Sequence, residues 1–206
     1  MPDIEVIPGL AAIILCGGKS ERMGTRKEWL TLGNETLLAR LVRILHTVAD
    51  PVIVATSADA PVPPLPTSVQ IVRDQQPDRG PLAGMQSGLA AIPPHSNRAF
   101  VLSCDTPLIT PAAIKQLNDH LGNAVGVVPV LAGAVQPLCA IYRRVVIASV
   151  EKLLAEARKG PRDLEYLVPI AQWTLDDNTS KSEGQSPFRS FNTPSEWDEI
   201  RMSFDR

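Results

Sequence analysis

Residues 11–15, Ala-Ala-Ile-Ile-Leu, form an unbroken apolar run that stops at Cys16-Gly17-Gly18. Side chains of a strand point alternately to opposite faces, so a strand apolar at successive positions must be covered on both sides. The pattern recurs. Val52-Ile53-Val54 behind Pro51, Val69 to Val72, and Ala99 to Leu102 are further short apolar runs, and Ala124 to Pro129 reads as another strand. Segments with helical signals lie between them. Thr36 caps a helix carrying Leu37, Leu38, Leu41, Ile44 and Leu45 at helical spacing. Gly80-Pro81 opens a helix reaching Ile92, and Pro111 stands in the first turn of one reaching Leu121. Buried strands alternating with helices predict a three-layer α/β/α fold, Rossmann-like, around a mostly parallel sheet.

The second half is less regular. Leu138 to Tyr142 reads as a strand that can run antiparallel, Val145 to Ala157 as a helix, and Arg162 to Val168 as one more short helix. Asp176 to Pro187 is polar and reads as a loop, the proline-rich run 61–66 as a surface loop, and Thr193-Pro194-Ser195-Glu196-Trp197 as the start of a last helix. A length of 206 residues predicts a single domain over 1–206 with a sizeable core.

Charge and composition exclude several classes. A formal net charge of −2 lacks the basic bias of a general nucleic-acid binder. Cys16, Cys104 and Cys139 are odd in number and far apart, and His46, His95 and His120 are equally scattered, so neither a disulfide framework nor a zinc site is indicated. No stretch approaches the ~20 apolar residues of a membrane span, and the N-terminal residues lack a signal-peptide pattern. The expected location is the cytoplasm.

Behind the first strand, Leu15-Cys16-Gly17-Gly18-Lys19-Ser20-Glu21-Arg22-Met23-Gly24-Thr25-Arg26-Lys27 crowds glycines and cations into one loop. Ligands of open α/β sheets bind beyond the carboxyl ends of the strands. Glycines let the backbone aim its N–H groups at phosphates, and Arg22, Arg26 and Lys27 can balance their charge. Gly18-Lys19-Ser20 resembles the end of a Walker A loop, yet Ile13 stands where its leading glycine belongs; the Rossmann glycine spacing fails at Lys19. A phosphate-gripping loop of another type is expected.

Two carboxylates end strands on the same plan. Asp105 follows Ala99–Leu102 and precedes Thr106-Pro107; Asp74 follows Val69–Val72. Each can be an ordinary turn residue. Each can also serve a nucleotide: Mg²⁺ takes one or two protein carboxylates and fills its octahedron with phosphate and water, and a carboxylate accepts hydrogen bonds from ribose hydroxyls or from guanine. Together with the cationic loop they point to metal-assisted chemistry at phosphorus.

The chain resembles the molybdenum cofactor guanylyltransferase family over nearly its full length. ILCGGKSERMG-TRK is similar to the family's first motif, and GPLAGMQSGL, LSCDTPL and FNTPSEW follow in the family's order. The resemblance implies a nucleotidyltransferase fold, an N-terminal half that binds the nucleotide and a C-terminal half that binds the acceptor. It implies transfer of GMP from GTP to molybdopterin (the molybdenum cofactor), with release of pyrophosphate. Leu15, Cys16, Gly17, Gly18, Lys27, Asp74 and Asp105 would bind GTP; Lys27, Asp105 and Arg22 would be catalytic; Asp105 would hold Mg²⁺. Arg162 and Asn192 would face the acceptor, with Gln136-Pro137 and Gly160-Pro161 nearby. Transient contact with cofactor-biosynthesis proteins and apo-molybdoenzymes is implied too. Cys16 replaces the usual alanine, Ala55 stands where some members carry asparagine, and Ser190 replaces an asparagine near the end. Cytidylyl transfer to molybdopterin or nucleotidyl transfer to another phosphorylated acceptor within the same superfamily, and a non-catalytic nucleotide- or cofactor-binding carrier, are the alternative readings.

Overall fold

A computed structural model describes residues 5–17, 23–74, 79–158, 160–174 and 186–204. Gly18 and Arg22, with most of the polar 176–187 segment, lie outside the described residues. The strands are β1 (Leu10–Leu15), β2 (Thr31–Leu32), β3 (Glu35–Thr36), β4 (Val52–Ser57), β5 (Gln70–Asp74), β6 (Arg98–Ser103), β7 (Gly126–Leu131), β8 (Ala134–Val135), β9 (Cys139–Arg143) and β10 (Ile170–Thr174). The helices are α1 (Leu37–Leu45), α2 (Pro81–Ala90), α3 (Pro111–Asp119), α4 (Ile147–Ala155) and α5 (Pro194–Phe204).

Among the described residues, the main sheet has the order β10-β7-β9-β6-β1-β4-β5, with β8 pairing β7 at its side. The pairs β6·β1, β1·β4, β4·β5 and β7·β10 are parallel. β9 runs antiparallel between β6 and β7, as the run Leu138–Tyr142 allowed. The fold expected from the alternation of strands and helices is the one observed, with the strand order reversing on either side of β1.

Each face of the sheet carries its own core. Leu10, Ala12, Ile14 and Cys16 of the β1 segment pack with Leu38, Leu41 and Val42 of α1, Ile114 and Leu117 of α3, and Trp197 and Ile200 of α5. Ala11 and Ile13 pack on the other side with Leu82, Met85 and Leu89 of α2 and Val150 and Leu154 of α4. That division explains why β1 reads as continuously apolar. The caps also follow the sequence: Thr36 Oγ1 accepts from Ala39 N and Thr110 Oγ1 from Ala113 N, each at 3.2 Å.

Gly88 sets the distance between α2 and the sheet. A Cβ there would stand 2.5 Å from Ile13 Cγ2, so the helix lies on β1 at a separation that admits no side chain.

Several elements differ from expectation. β5 is the sheet's edge and half-exposed, with Ile71 at 42% exposure, because no further strand covers it among the described residues. β7 begins at Gly126, two residues later than the apolar run begins. The short helix read over Arg162–Val168 is a 3-10 helix over Pro161–Tyr166, shifted toward the N-terminus at both ends. β10 went unread: Ile-Ala-Gln-Trp-Thr mixes polar and apolar residues on an edge strand with one neighbour. The β2–β3 hairpin consists of two-residue strands, too short to leave a periodic signal.

Candidate functional site

β1, β4, β5 and β6 run parallel, so their carboxyl ends open on one edge of the sheet. Cys16 N donates to Ala55 O at 2.8 Å, and Cys104 N donates to Leu15 O at 3.2 Å, so the chain leaving β1 stays tied to both neighbouring strands. Gly17 follows with φ of +133°, in a region that favours glycine. A Cβ on Gly17 would stand 3.2 Å from Ser57 Oγ, so the loop backbone crosses close over the end of β4. Ser57 in turn is the rung partner of Asp74 on β5. Leu15, Gly17, Ser57 and Asp74 thus gather at one end of three adjacent strands.

Gly84, in the first turns of α2, closes this region from the side. Its Cβ position lies 3.4 Å from Leu15 Cδ2 and 4.0 Å from Ala55 Cβ. The helix start is fixed by Gly80, with φ of +72°, and Pro81 at its first position. Arg79 donates to the Leu154 carbonyl at the end of α4, which anchors the same turn.

On the other side of β1 stands Lys27, in a 3-10 turn over Lys27–Trp29. Its ammonium donates to Asp105 Oδ2 at 3.0 Å, to the Phe191 carbonyl at 2.8 Å and to Asn192 Oδ1 at 3.0 Å. It also lies 5.1 Å from the Phe191 ring centroid. The Lys27 and Asp105 side chains are 16% and 18% exposed, so the pair is shielded yet reachable from solvent. Phe191 N donates to Asp105 O at 3.0 Å, which stitches the C-terminal segment to the β6 end.

Of the residues expected in the site, Lys27, Asp105 and Asn192 meet directly, while Leu15, Cys16, Gly17 and Asp74 line the strand ends. Arg162 is exposed on the 3-10 turn 161–166; among the described residues no hydrogen bond or ion pair joins it to Lys27, Asp105 or Asn192. Sequence reading missed Ser57, the Phe191 carbonyl and Glu196. The Thr-Pro-Ser-Glu cap pattern could have signalled Glu196; Ser57 and the carbonyl carry no local signal.

The thiols are unsuited to nucleophilic or metal chemistry here. The Cys16 thiol beside it, and then complete burial, push the Cys104 thiol well above its ordinary value; burial does the same to Cys139. Among the described residues no group of three or more His, Cys, Asp or Glu side chains is placed to hold a metal, and no helix is long and apolar enough to cross a membrane. What the edge offers is a hard carboxylate oxygen beside an ammonium, which suits phosphate and Mg²⁺ rather than a softer metal.

Known proteins share this arrangement of strands. Residues 12–167 match the family model of the MobA-like NTP transferase domain. A probable molybdenum cofactor guanylyltransferase of Chloroflexus aggregans is 34% identical over 172 residues, covering 80% of this chain and 78% of the relative. The crystal structure of molybdopterin-guanine dinucleotide biosynthesis protein A from Archaeoglobus fulgidus superposes with a TM-score of 0.75 at 14% identity, covering 93% of this chain and 97% of that one. The 2-C-methyl-D-erythritol 4-phosphate cytidylyltransferase of Thermus thermophilus superposes with a TM-score of 0.71 at 14% identity, over 98% of this chain and 100% of that one. The last two likenesses speak to the fold; the family model and the sequence relative decide the family. The chain belongs to the MobA-like NTP transferase family and is a nucleotidyltransferase.

Proposed function

We propose that this protein transfers the guanylyl group of GTP to the terminal phosphate of molybdopterin, releasing pyrophosphate. The observation that carries the chemistry is the Lys27–Asp105 pair at 3.0 Å on the carboxyl edge of the sheet. The acceptor is taken from the family relative's name.

In this reading an oxygen of the acceptor phosphate attacks the α-phosphorus of GTP. A new P–O bond forms, the bond from the α-phosphorus to the bridging oxygen breaks, and the electron pair leaves with pyrophosphate. Lys27 offsets negative charge on the phosphates as it shifts toward the leaving group. Leu15, Cys16 and Gly17 present their backbone to the nucleoside, and Asp74 accepts hydrogen bonds from its ribose or base. Gly18 and Arg22 of the same loop are assigned to the phosphates on their place in the sequence. Asn192 keeps Lys27 in place, and Arg162 is assigned to the acceptor on its place in the sequence.

Asp105 is the residue that would hold Mg²⁺, and its partly exposed carboxylate fits an ion that draws its other ligands from phosphate and water. The bound ion would add charge neutralisation at the phosphate oxygens. In the resting protein Lys27 occupies one oxygen of that carboxylate, so nucleotide binding requires the ammonium to share Asp105 or to turn toward phosphate.

Isotopic labelling tests the reaction. With molybdopterin and Mg²⁺, label on the α-phosphorus of GTP should appear in a dinucleotide product and label on the γ-phosphorus in pyrophosphate. Label from the γ-position in the pterin product would identify phosphoryl transfer instead and sink the assignment. CTP in place of GTP should give little product; equal or better yield would reassign the base.

A further inference from the structure

Two of the three hydrogen bonds that fix the Lys27 ammonium come from residues 164 and 165 positions further along the chain, the Phe191 carbonyl and the Asn192 side chain. What holds those two acceptors decides where Lys27 sits. Phe191 is anchored by burial, its ring 4.9 Å from that of Trp197, and by its own N–H to Asp105 O. The turn that follows it depends on Glu196. One carboxylate oxygen, Oε2, accepts from Asn192 N at 2.6 Å and from Thr193 N at 2.9 Å, while Thr193 Oγ1 accepts from Glu196 N at 3.3 Å.

The second and third of these contacts make an ordinary capping box at the start of α5. The first does not belong to a capping box. It reaches one residue further back, to the residue whose side chain bonds Lys27. Glu196 therefore grips the backbone of Asn192 from one side while Asn192 Oδ1 grips the ammonium from the other. An amide N–H to carboxylate bond is charge-assisted and short, as seen here, and resists displacement better than one between neutral groups.

We propose that Glu196 is a positioning residue for the transfer reaction: through the Asn192–Thr193 backbone it holds the Phe191 carbonyl and Asn192 Oδ1 against Lys27 and so sets the site of that ammonium. The inference rests on the reading that Lys27 serves the phosphates. Its effect is on turnover more than on nucleotide affinity, because a displaced lysine still neutralises charge but not at the position the transition state needs.

Three full-length variants separate positioning from mere capping. Glu196→Ala removes both backbone contacts; Glu196→Gln keeps an oxygen able to accept them; Ile200→Ala opens a cavity in the buried face of α5 without touching the turn. Two readouts are taken below the melting range of every variant: kcat and KM for GTP, and the rate at which Lys27 is acetylated by acetic anhydride, followed by peptide mass spectrometry. Glu196→Ala should lower kcat by roughly tenfold or more with KM for GTP little changed, and should speed Lys27 acetylation severalfold. Glu196→Gln should stay near wild type in both, and Ile200→Ala should lose stability while leaving both unchanged. Wild-type acetylation and kcat in Glu196→Ala, or the same changes in Ile200→Ala, would overturn the proposal. The acetylation measurement needs no turnover, so it decides the placement of Lys27 even if the wild-type protein fails to use GTP.

Discussion

Lys27 and Asp105 lie 78 residues apart in the chain and meet at 3.0 Å, one from the 3-10 turn Lys27–Trp29 and the other from just beyond the end of β6. The parallel pairing of β1 with β6, from Leu10↔Arg98 to Leu15↔Ser103, delivers both segments to the same edge. The ion pair is thus a product of topology, and it sets a cation against a carboxylate at the carboxyl edge of the sheet.

If that pair serves the reaction, removing either member should damage turnover far more than folding. Lys27→Ala and Asp105→Ala should each lower kcat by roughly a hundred- to a thousandfold, while far-UV circular dichroism stays unchanged. Lys27→Arg should remain impaired, because a planar guanidinium cannot reach Asp105, the Phe191 carbonyl and Asn192 in the ammonium's geometry. Steady-state kinetics check all three; near-normal rates for either alanine variant would remove that residue from the site.

The packing of α2 on β1 makes Gly88 and Gly84 respond differently to the same change. Gly88→Ala gains helix propensity but drives a methyl to 2.5 Å from the core side chain of Ile13, so urea denaturation should show a net loss of about 1–2 kcal/mol. Gly84→Ala meets Leu15 at 3.4 Å, an ordinary contact, and should keep or raise stability. Equal stability of the two variants would show that the helix can lift off the sheet at little cost.

Glu35 supplies a pH dependence. Its carboxylate takes Arg43 Nη2 at 2.5 Å and Arg43 Nε at 3.1 Å, with Arg40 at 3.4 Å, and the Arg43 hydrogen bonds hold it below its ordinary value of 4.5. A lowered folded value means that the stabilisation is fully present above 4.5 and is lost as pH falls through the folded value. Arg43 is largely exposed, so Glu35→Gln should cost no more than about 1 kcal/mol at pH 7. That difference should shrink to nothing as the solution is acidified past the folded value. A cost that persists in acid would indicate lost packing rather than lost charge.

The cysteines should be nearly inert in the native protein. Cys16, Cys104 and Cys139 are all buried, and Cys104 and Cys139 are held protonated. Reaction with an aromatic disulfide reagent should be slow until denaturant is added and should then reach three thiols per chain. Fast labelling of the native protein would show that the strand ends open on that timescale.

Much of this was legible in the chain. Apolar runs ending in Gly17 or Asp105 announce buried parallel strands and the edge where ligands bind, because both faces of such strands must be covered. Thr36 and Pro111 mark helix starts by local chemistry alone, and the structure adds Thr110 as the cap before Pro111. What was not legible is non-local. Asn192 reads as an acceptor-side residue, and the bond of its Oδ1 to Lys27, 165 positions earlier in the chain, is a contact that no local pattern announces. Ser57 faces Gly17 because β4 pairs with β1, and β10 is an edge strand with too little burial to leave a pattern.

Pyrophosphate release from GTP in the presence of molybdopterin and Mg²⁺, measured side by side for the wild type and Lys27→Ala and repeated with CTP, decides whether this site transfers a guanylyl group. Guanylyl transfer through Lys27 gives acceptor-dependent release with GTP, little with CTP, and loss of release in the variant. Acceptor-independent release, or release unchanged by Lys27→Ala, would contradict it.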